Sequence, residues 1–103
     1  MIKTIDIIAK EWRDKVNGNS YFSARIIIDL DARGNGKTYY IPYEYGYGTY
    51  YLQASAKMLV GTELLPDFAL SCLYGYCRDN NIVLRHGITH DCKKAEVTEW
   101  GQQ

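Results

Sequence analysis

The sequence has no excess of charge of either sign. Its 103 residues contain 12 Lys and Arg against 12 Asp and Glu. A protein that holds duplex DNA by neutralising phosphates needs a surplus of cations, and an acidic mimic of nucleic acid needs the opposite surplus. The charge balance therefore disfavours both of these classes.

Long apolar runs and paired cysteines are also missing. No run approaches the roughly 18 apolar residues of a transmembrane helix, and the opening segment MIKTIDIIAKEW lacks the apolar core of a signal peptide. The three cysteines are an odd number, which favours free thiols in a reducing compartment over a disulfide framework. We therefore expect a cytoplasmic protein without a membrane partner.

The apolar residues that are present suffice for one compact core. They make up 47% of the chain, and charged residues make up 23%. A chain of this length can bury a core without metals or disulfides. We predict a single domain over residues 1–103.

Alternation of apolar and polar side chains predicts the first half of the fold. It is clearest over 20–30, where Phe22, Ala24, Ile26 and Ile28 recur at every second position. The isoleucine content of residues 3–9 predicts a first strand, and a weaker alternation predicts a strand over 37–43. A brief helical turn is predicted in 10–20. Pro42 cannot donate to a β-ladder, so the third strand should lie at a sheet edge or end there.

The second half of the chain shows helical spacing followed by two more short apolar segments. Helices are predicted over 49–61 and 64–81, and strands over 82–88 and 95–100. The order is β-β-β-α-α-β-β, in which strands and helices segregate. This order predicts an α+β fold, with an antiparallel sheet of about five strands and two helices on one face.

Five side chains could in principle bind zinc. Two of them, Cys72 and Cys77, fall on one predicted helix about 140° apart around its axis, so they diverge. A zinc pair needs converging ligands on a tight turn. We therefore expect core thiols and no metal or cofactor, and we leave a metal or redox role open for the full set of Cys72, Cys77, His86, His90 and Cys92.

Cys92 is the best candidate for a nucleophile, because His90 and two lysines flank it. No nucleophile elbow or glycine-rich oxyanion loop surrounds it. The simpler interpretation is an exposed polar turn. We expect no catalytic residue and no enzyme activity.

The segment YYIPYEYGYGTYY, residues 39–51, contains seven tyrosines and one charge, Glu44. Tyrosines serve either recognition or cross-strand packing. Tyr39 and Tyr43 share a face with Ile41 and are expected to cover the core. We predict a partner-binding surface formed by Tyr45, Tyr47, Tyr50, Glu44 and Asn19.

Three segments carry a resemblance to a family. EWRDKVNGNSYFSARI (11–26), IPYEYGYGTYY (41–51) and LYGYCRDNNI (73–82) resemble a group of small proteins encoded by tailed phages and prophages. The resemblance brings no activity with it. It implies expression in the bacterial cytoplasm and an accessory role.

The leading hypothesis is a non-enzymatic phage-type protein that binds a host or phage protein, in the manner of inhibitors of bacterial defence such as anti-CRISPR proteins. The alternative is a single-stranded nucleic-acid or nucleotide binder serving phage DNA metabolism. It would stack bases on the tyrosines and bind phosphate through Arg25, Arg33 and Lys37. The sequence does not decide whether the chain forms a homodimer.

Overall fold

A computed structural model describes residues 2–99 of the protein. Four strands and three α-helices follow one another as β-β-β-α-α-β-α. Their bounds are β1 Thr4–Asp14, β2 Asn19–Ile28, β3 Lys37–Tyr45, α1 Tyr50–Gly61, α2 Leu73–Asp79, β4 Val83–Thr89 and α3 Lys94–Thr98, with a 3₁₀ turn at Asp67–Leu70.

The four strands form one sheet in the order β3-β2-β1-β4. β1, β2 and β3 are a meander of antiparallel neighbours, whereas β4 runs parallel to β1. The predicted α+β class is confirmed, and Pro42 does lie in an edge strand. The predicted all-antiparallel sheet is wrong, because α2 carries the chain back to start β4 beside the start of β1.

Residues 10–14 continue β1 instead of forming the predicted helical turn. Asp14 pairs with Asn19 across a tight hairpin. The Asp14 carboxylate accepts hydrogen bonds from the backbone N–H groups of Val16 and Asn17, and Gly18 takes a left-handed φ of 73°. The Asp14 side chain thus caps the turn between β1 and β2. The many charged residues of this segment had suggested a helical turn instead.

The predicted helix over 64–81 is divided into the 3₁₀ turn and α2. Cys72 has an extended backbone that interrupts helical geometry, and its sulfur accepts a hydrogen bond from the N–H of Gly75. Cys72 therefore acts as the N-cap of α2. Cys77 is buried in the core, and burial raises the pKa of its thiol.

The predicted strand over 95–100 is also wrong, because α3 occupies Lys94–Thr98; Trp100 lies outside the described residues. The Glu96 carboxylate accepts a hydrogen bond from the N–H of Lys93 and starts the helix. α3 packs on the sheet face opposite to α1. Within residues 2–99, helices therefore cover both faces of the sheet instead of the one that we predicted.

The main core lies between α1 and the sheet face that bears the odd-numbered residues of β1. Ile5, Ile7 and Ala9 are buried there and face the even-numbered residues of β2. Ile27 and Val97 are buried as well but lie outside this cluster, on the second face. A small second layer of packing therefore holds α3 to the sheet.

Candidate protein-contact surface

The tyrosine segment leaves the sheet at the end of β3 and turns directly into α1. Tyr45 is the last paired residue, opposite Tyr21. The N–H of Gly46 donates to the carbonyl of Ser20 at 3.0 Å, and the N–H of Tyr50 donates to the carbonyl of Tyr47 at 3.2 Å. These backbone bonds join the segment to β2 at one end and form a turn into α1 at the other.

A β-bulge changes which tyrosines reach the core. Ala24 pairs with Ile41 but Phe22 pairs with Glu44, so β3 contains one extra residue between these pairs. An extra residue inverts the alternation of faces beyond it. Tyr39 packs against the core as predicted, whereas Tyr43 stacks on Tyr21 on the second face. The prediction that Tyr43 covers the main core is therefore wrong.

A row of aromatic rings crosses the second face near this end of the sheet. The centroids of Trp12 and Tyr21 are 5.7 Å apart, and those of Tyr21 and Tyr43 are 5.0 Å apart, both pairs stacked. Tyr45 meets Tyr21 edge-on at 5.8 Å. Nζ of Lys94 lies 5.4 Å from the centroid of Trp12 and covers one end of the row. Desolvation is the main cause that raises the pKa of Tyr43.

The structure separates the predicted contact tyrosines into two groups. Tyr45 and Tyr47 are 54% and 70% exposed. Tyr50 is half-buried, because its ring lies edge-on to Phe22 at 5.9 Å and Nζ of Lys57 lies over it at 5.5 Å. Tyr50 therefore anchors α1 to the sheet, and its expected exposure is not found.

Glu44 and Asn19 are both half-buried at the same end of the sheet. Sequence reasoning missed Val16, which is 93% exposed in the hairpin turn next to them. The available signal was one apolar residue within the polar turn DKVNGN. We call Val16, Tyr45 and Tyr47 the tyrosine surface.

An open groove of about 600 Å³ lies beside this end of the sheet, between the β1–β2 turn and the segment before α3. Four cations and two carboxylates line it, so its charge is mixed. Hydrogen bonding by Asn17 is the main cause that lowers the pKa of Asp14 and keeps it ionised. The lining residues are Trp12, Arg13, Asp14, Lys15, Val16, Asp91, Cys92, Lys93 and Lys94.

The candidate nucleophile and its neighbouring histidine have separate partners. The Cys92 thiol donates to the carbonyl of Thr89 at 3.4 Å. Nδ1 of His90 lies 2.9 Å from a carboxylate oxygen of Glu11, and this hydrogen bond raises the pKa of His90. His90 is therefore oriented by Glu11.

The remaining candidate metal ligands are also dispersed. Nδ1 of His86 lies 2.8 Å from the hydroxyl of Tyr51, and Cys72 and Cys77 have the structural positions described above. Within residues 2–99, no three side chains of His, Cys, Asp or Glu converge on a point where they could hold a metal ion. In the same range no helix has the length and apolarity to cross a membrane.

Comparison of the chain with protein-family models, curated proteins and solved structures found no match. The resemblance to small phage proteins therefore stays a prediction.

Proposed function

We propose that the protein is a non-enzymatic binding domain that contacts a partner protein through the tyrosine surface. The observation that carries the proposal is the exposure of Tyr45 and Tyr47 on a backbone that hydrogen bonds connect to β2 and to the start of α1. Exposed tyrosines on a rigid frame offer large contact area at a small cost in conformational entropy.

The aromatic row supports this role by holding Tyr45 in place. Tyr21 contacts the edge of Tyr45 and is itself stacked against Trp12 and Tyr43. A side chain that is braced before binding loses less rotamer freedom on binding. Tyr45 is therefore better placed than an isolated surface tyrosine to act as an anchor.

The zero net charge of the chain and its resemblance to phage proteins suggest the class of partner. The chain carries no net charge, and the charge next to Tyr45 along the chain is Glu44. A protein surface with apolar pockets and donor groups for the tyrosine hydroxyls would complement this chemistry. With the resemblance to phage proteins, the proposed partner is a bacterial or phage protein, and a defence protein inhibited by binding is the leading case.

Single-stranded nucleic acid is the second candidate, because the groove places four cations beside Trp12. Two features weigh against it. The faces of Tyr21 are already stacked on Trp12 and Tyr43 and cannot receive a base. Lys37 begins β3 and Tyr45 ends it, about 26 Å away along the strand, so this cation does not adjoin the tyrosine surface.

The test begins with affinity capture from bacterial lysate and continues with the purified partner. The double substitution Tyr45→Ser and Tyr47→Ser is expected to weaken the measured affinity at least about tenfold, as the loss of interface anchors does. The matched control is Phe68→Ser with Tyr74→Ser, which removes two comparably exposed aromatic rings, one in the 3₁₀ turn and one in α2.

Equal affinity for the tyrosine double variant and wild type would contradict the proposal. Salt-dependent binding of single-stranded DNA that is lost in Lys93→Glu with Lys94→Glu would favour the second candidate instead. The tyrosine double variant and the Phe68 and Tyr74 control should both retain the wild-type circular dichroism spectrum, because these four residues are exposed.

A further inference from the structure

Among the described residues, β4 has only β1 as a neighbour, so one edge of the sheet is open. In a parallel ladder, alternate residues of a strand direct both backbone groups to the same side. The N–H of Val83 donates to the carbonyl of Lys3. The backbone groups of Arg85 and Gly87 therefore also point to β1, and those of Leu84, His86 and Ile88 point outward.

The opposite edge is less suited to pairing. It is formed by β3, which contains Pro42 and the β-bulge. Proline lacks an N–H donor and a bulge disrupts regular register, two devices that block edge-to-edge association. Neither device occurs in β4, whose sequence is VLRHGIT.

We propose that β4 pairs with β4 of a second copy of this chain, antiparallel about a two-fold axis at His86. The outward residues are symmetric about His86, so every outward N–H and carbonyl of one strand meets its complement in the other. Leu84 of each copy pairs with Ile88 of the second copy, and His86 pairs with itself. This register contains three hydrogen-bonded residue pairs. Each pair exchanges two backbone hydrogen bonds, which makes six in total.

The side chains on either side of His86 agree with this register. On the α1 face, Leu84 and Ile88 form two apolar cross-strand pairs. On the other face, Arg85 lies opposite Gly87 of the second copy, where a Cβ would meet nothing within 4 Å. Gly87 leaves Ile8 beside it 40% exposed. The missing side chain of Gly87 gives room for Arg85 of the second copy, whose guanidinium stays bonded to Asp6 of its own chain.

The axis stands perpendicular to the sheet, so α1 lies on the same side in both copies. The two four-stranded sheets become one sheet of eight strands. The tyrosine surface adjoins β3 at the far edge and stays free in both copies, so the dimer and the proposed partner binding are independent. Seven-residue strands form a small interface, which is typical of weak or transient association.

Sedimentation of the intact chain from micromolar to submillimolar concentration tests the pairing. The weight-average mass is expected to rise from 11.8 kDa toward twice that value. Gly87→Lys adds a cation opposite Arg85 of the second copy, where Asp6 already compensates the charge of that arginine, and should reduce the rise. Gly87→Glu places an anion opposite Arg85 and should retain or strengthen the rise in mass. Because both variants lose the glycine, a difference between them reports the effect of charge.

Amide hydrogen exchange of the wild type tests the register without substitution. Protection of Leu84, His86 and Ile88 should increase with protein concentration, whereas Arg85 and Gly87 should be protected throughout. A chain that stays monomeric, or equal effects of the two Gly87 variants, would overturn the proposal. Protection of Leu84, His86 and Ile88 only when the captured partner is added would also overturn it, in favour of a strand from that protein.

Discussion

Asp29 shows how single carboxylates close the connections of this fold. It adopts a left-handed φ of 55°, and its Oδ1 accepts hydrogen bonds from the N–H groups of Lys3 at 2.6 Å and Thr4 at 3.1 Å. These two bonds lower the pKa of Asp29 below 3.8, and the hydrogen bond from Lys3 is the larger cause. The ionised carboxylate thus links the start of β1 to the end of β2.

We predict that Asp29→Asn reduces the acid sensitivity of the protein. Because the folded-state pKa lies below the unfolded value of 3.8, ionised Asp29 stabilises the folded state fully above that value. This stabilisation is lost as the pH falls through the folded-state pKa. Urea unfolding at neutral pH and at several pH values below 3.8 should therefore show a shallower fall in unfolding free energy for Asp29→Asn than for wild type.

Asp67→Asn is the matched control for this measurement, because it removes an exposed carboxylate from the 3₁₀ turn. An identical pH dependence for Asp29→Asn and wild type would contradict the assigned role of Asp29.

The junction between β3 and α1 is tightly packed. Gly46 is buried there, and a Cβ at this position would lie 2.7 Å from Cε1 of Phe22 and 2.7 Å from Cδ2 of Tyr50. The Phe22 ring is fully buried and has no free space to move into. Gly61, the last residue of α1, has open space in the same position.

We predict opposite effects on stability for alanine at these two glycines. Gly46→Ala should lower the free energy of unfolding by about 1–3 kcal/mol, because it overpacks the junction. Gly61→Ala should raise it by up to about 1 kcal/mol, because alanine favours the helix and restricts the unfolded chain. Chemical denaturation of both variants provides the measurement, and a Gly46→Ala variant as stable as wild type would contradict the packing.

The elements that depend mainly on local sequence were predicted correctly. The alternation around Ala24 and Ile26 placed β2, and helical spacing placed α1 within one residue. The exposure of Tyr45 and Tyr47 was also predicted. The bulge beside Pro42 was not, because alternation before it gives no sign of an inserted residue, and so Tyr43 was assigned to the wrong face.

The molecule as a whole is a sheet covered by helices on both faces. α1 covers the larger core, and α3 covers the second face with Val97, which is fully buried. An ion pair joins Nζ of Lys10 to Glu99 at 3.8 Å on the same face. This pair is exposed on one side and contributes little, so Val97 is the main attachment of α3.

We predict that Val97→Ala lowers the free energy of unfolding by about 1–3 kcal/mol, through lost burial and the cavity left behind. Val16→Ala removes the same atoms from a side chain that is almost fully exposed. Its effect should stay within about 0.5 kcal/mol of wild type. Thermal or urea unfolding compares the two variants, and equal stabilities would show that α3 does not depend on Val97.

The α+β class could be predicted at this scale, but the arrangement of its parts could not. The segment around Val97 alternates like a strand, and only Glu96 at the third helical position signalled a helix start. The direction of β4 depends on how far α2 carries the chain before Ile82. Such a distance is set by tertiary packing and not by the local periodicity of either element.

The position of β1 at the centre of the sheet bears on synthesis as well as on stability. Asp6 and Arg85 form a two-bond ion pair across β1 and β4, although 79 residues separate them. On the ribosome, β1 can pair with β2 as soon as the hairpin emerges, but its other edge waits for the chain to reach residue 89. Contacts of such separation form slowly. During that delay a chaperone would find the isoleucine-rich edge of β1 accessible in each nascent chain.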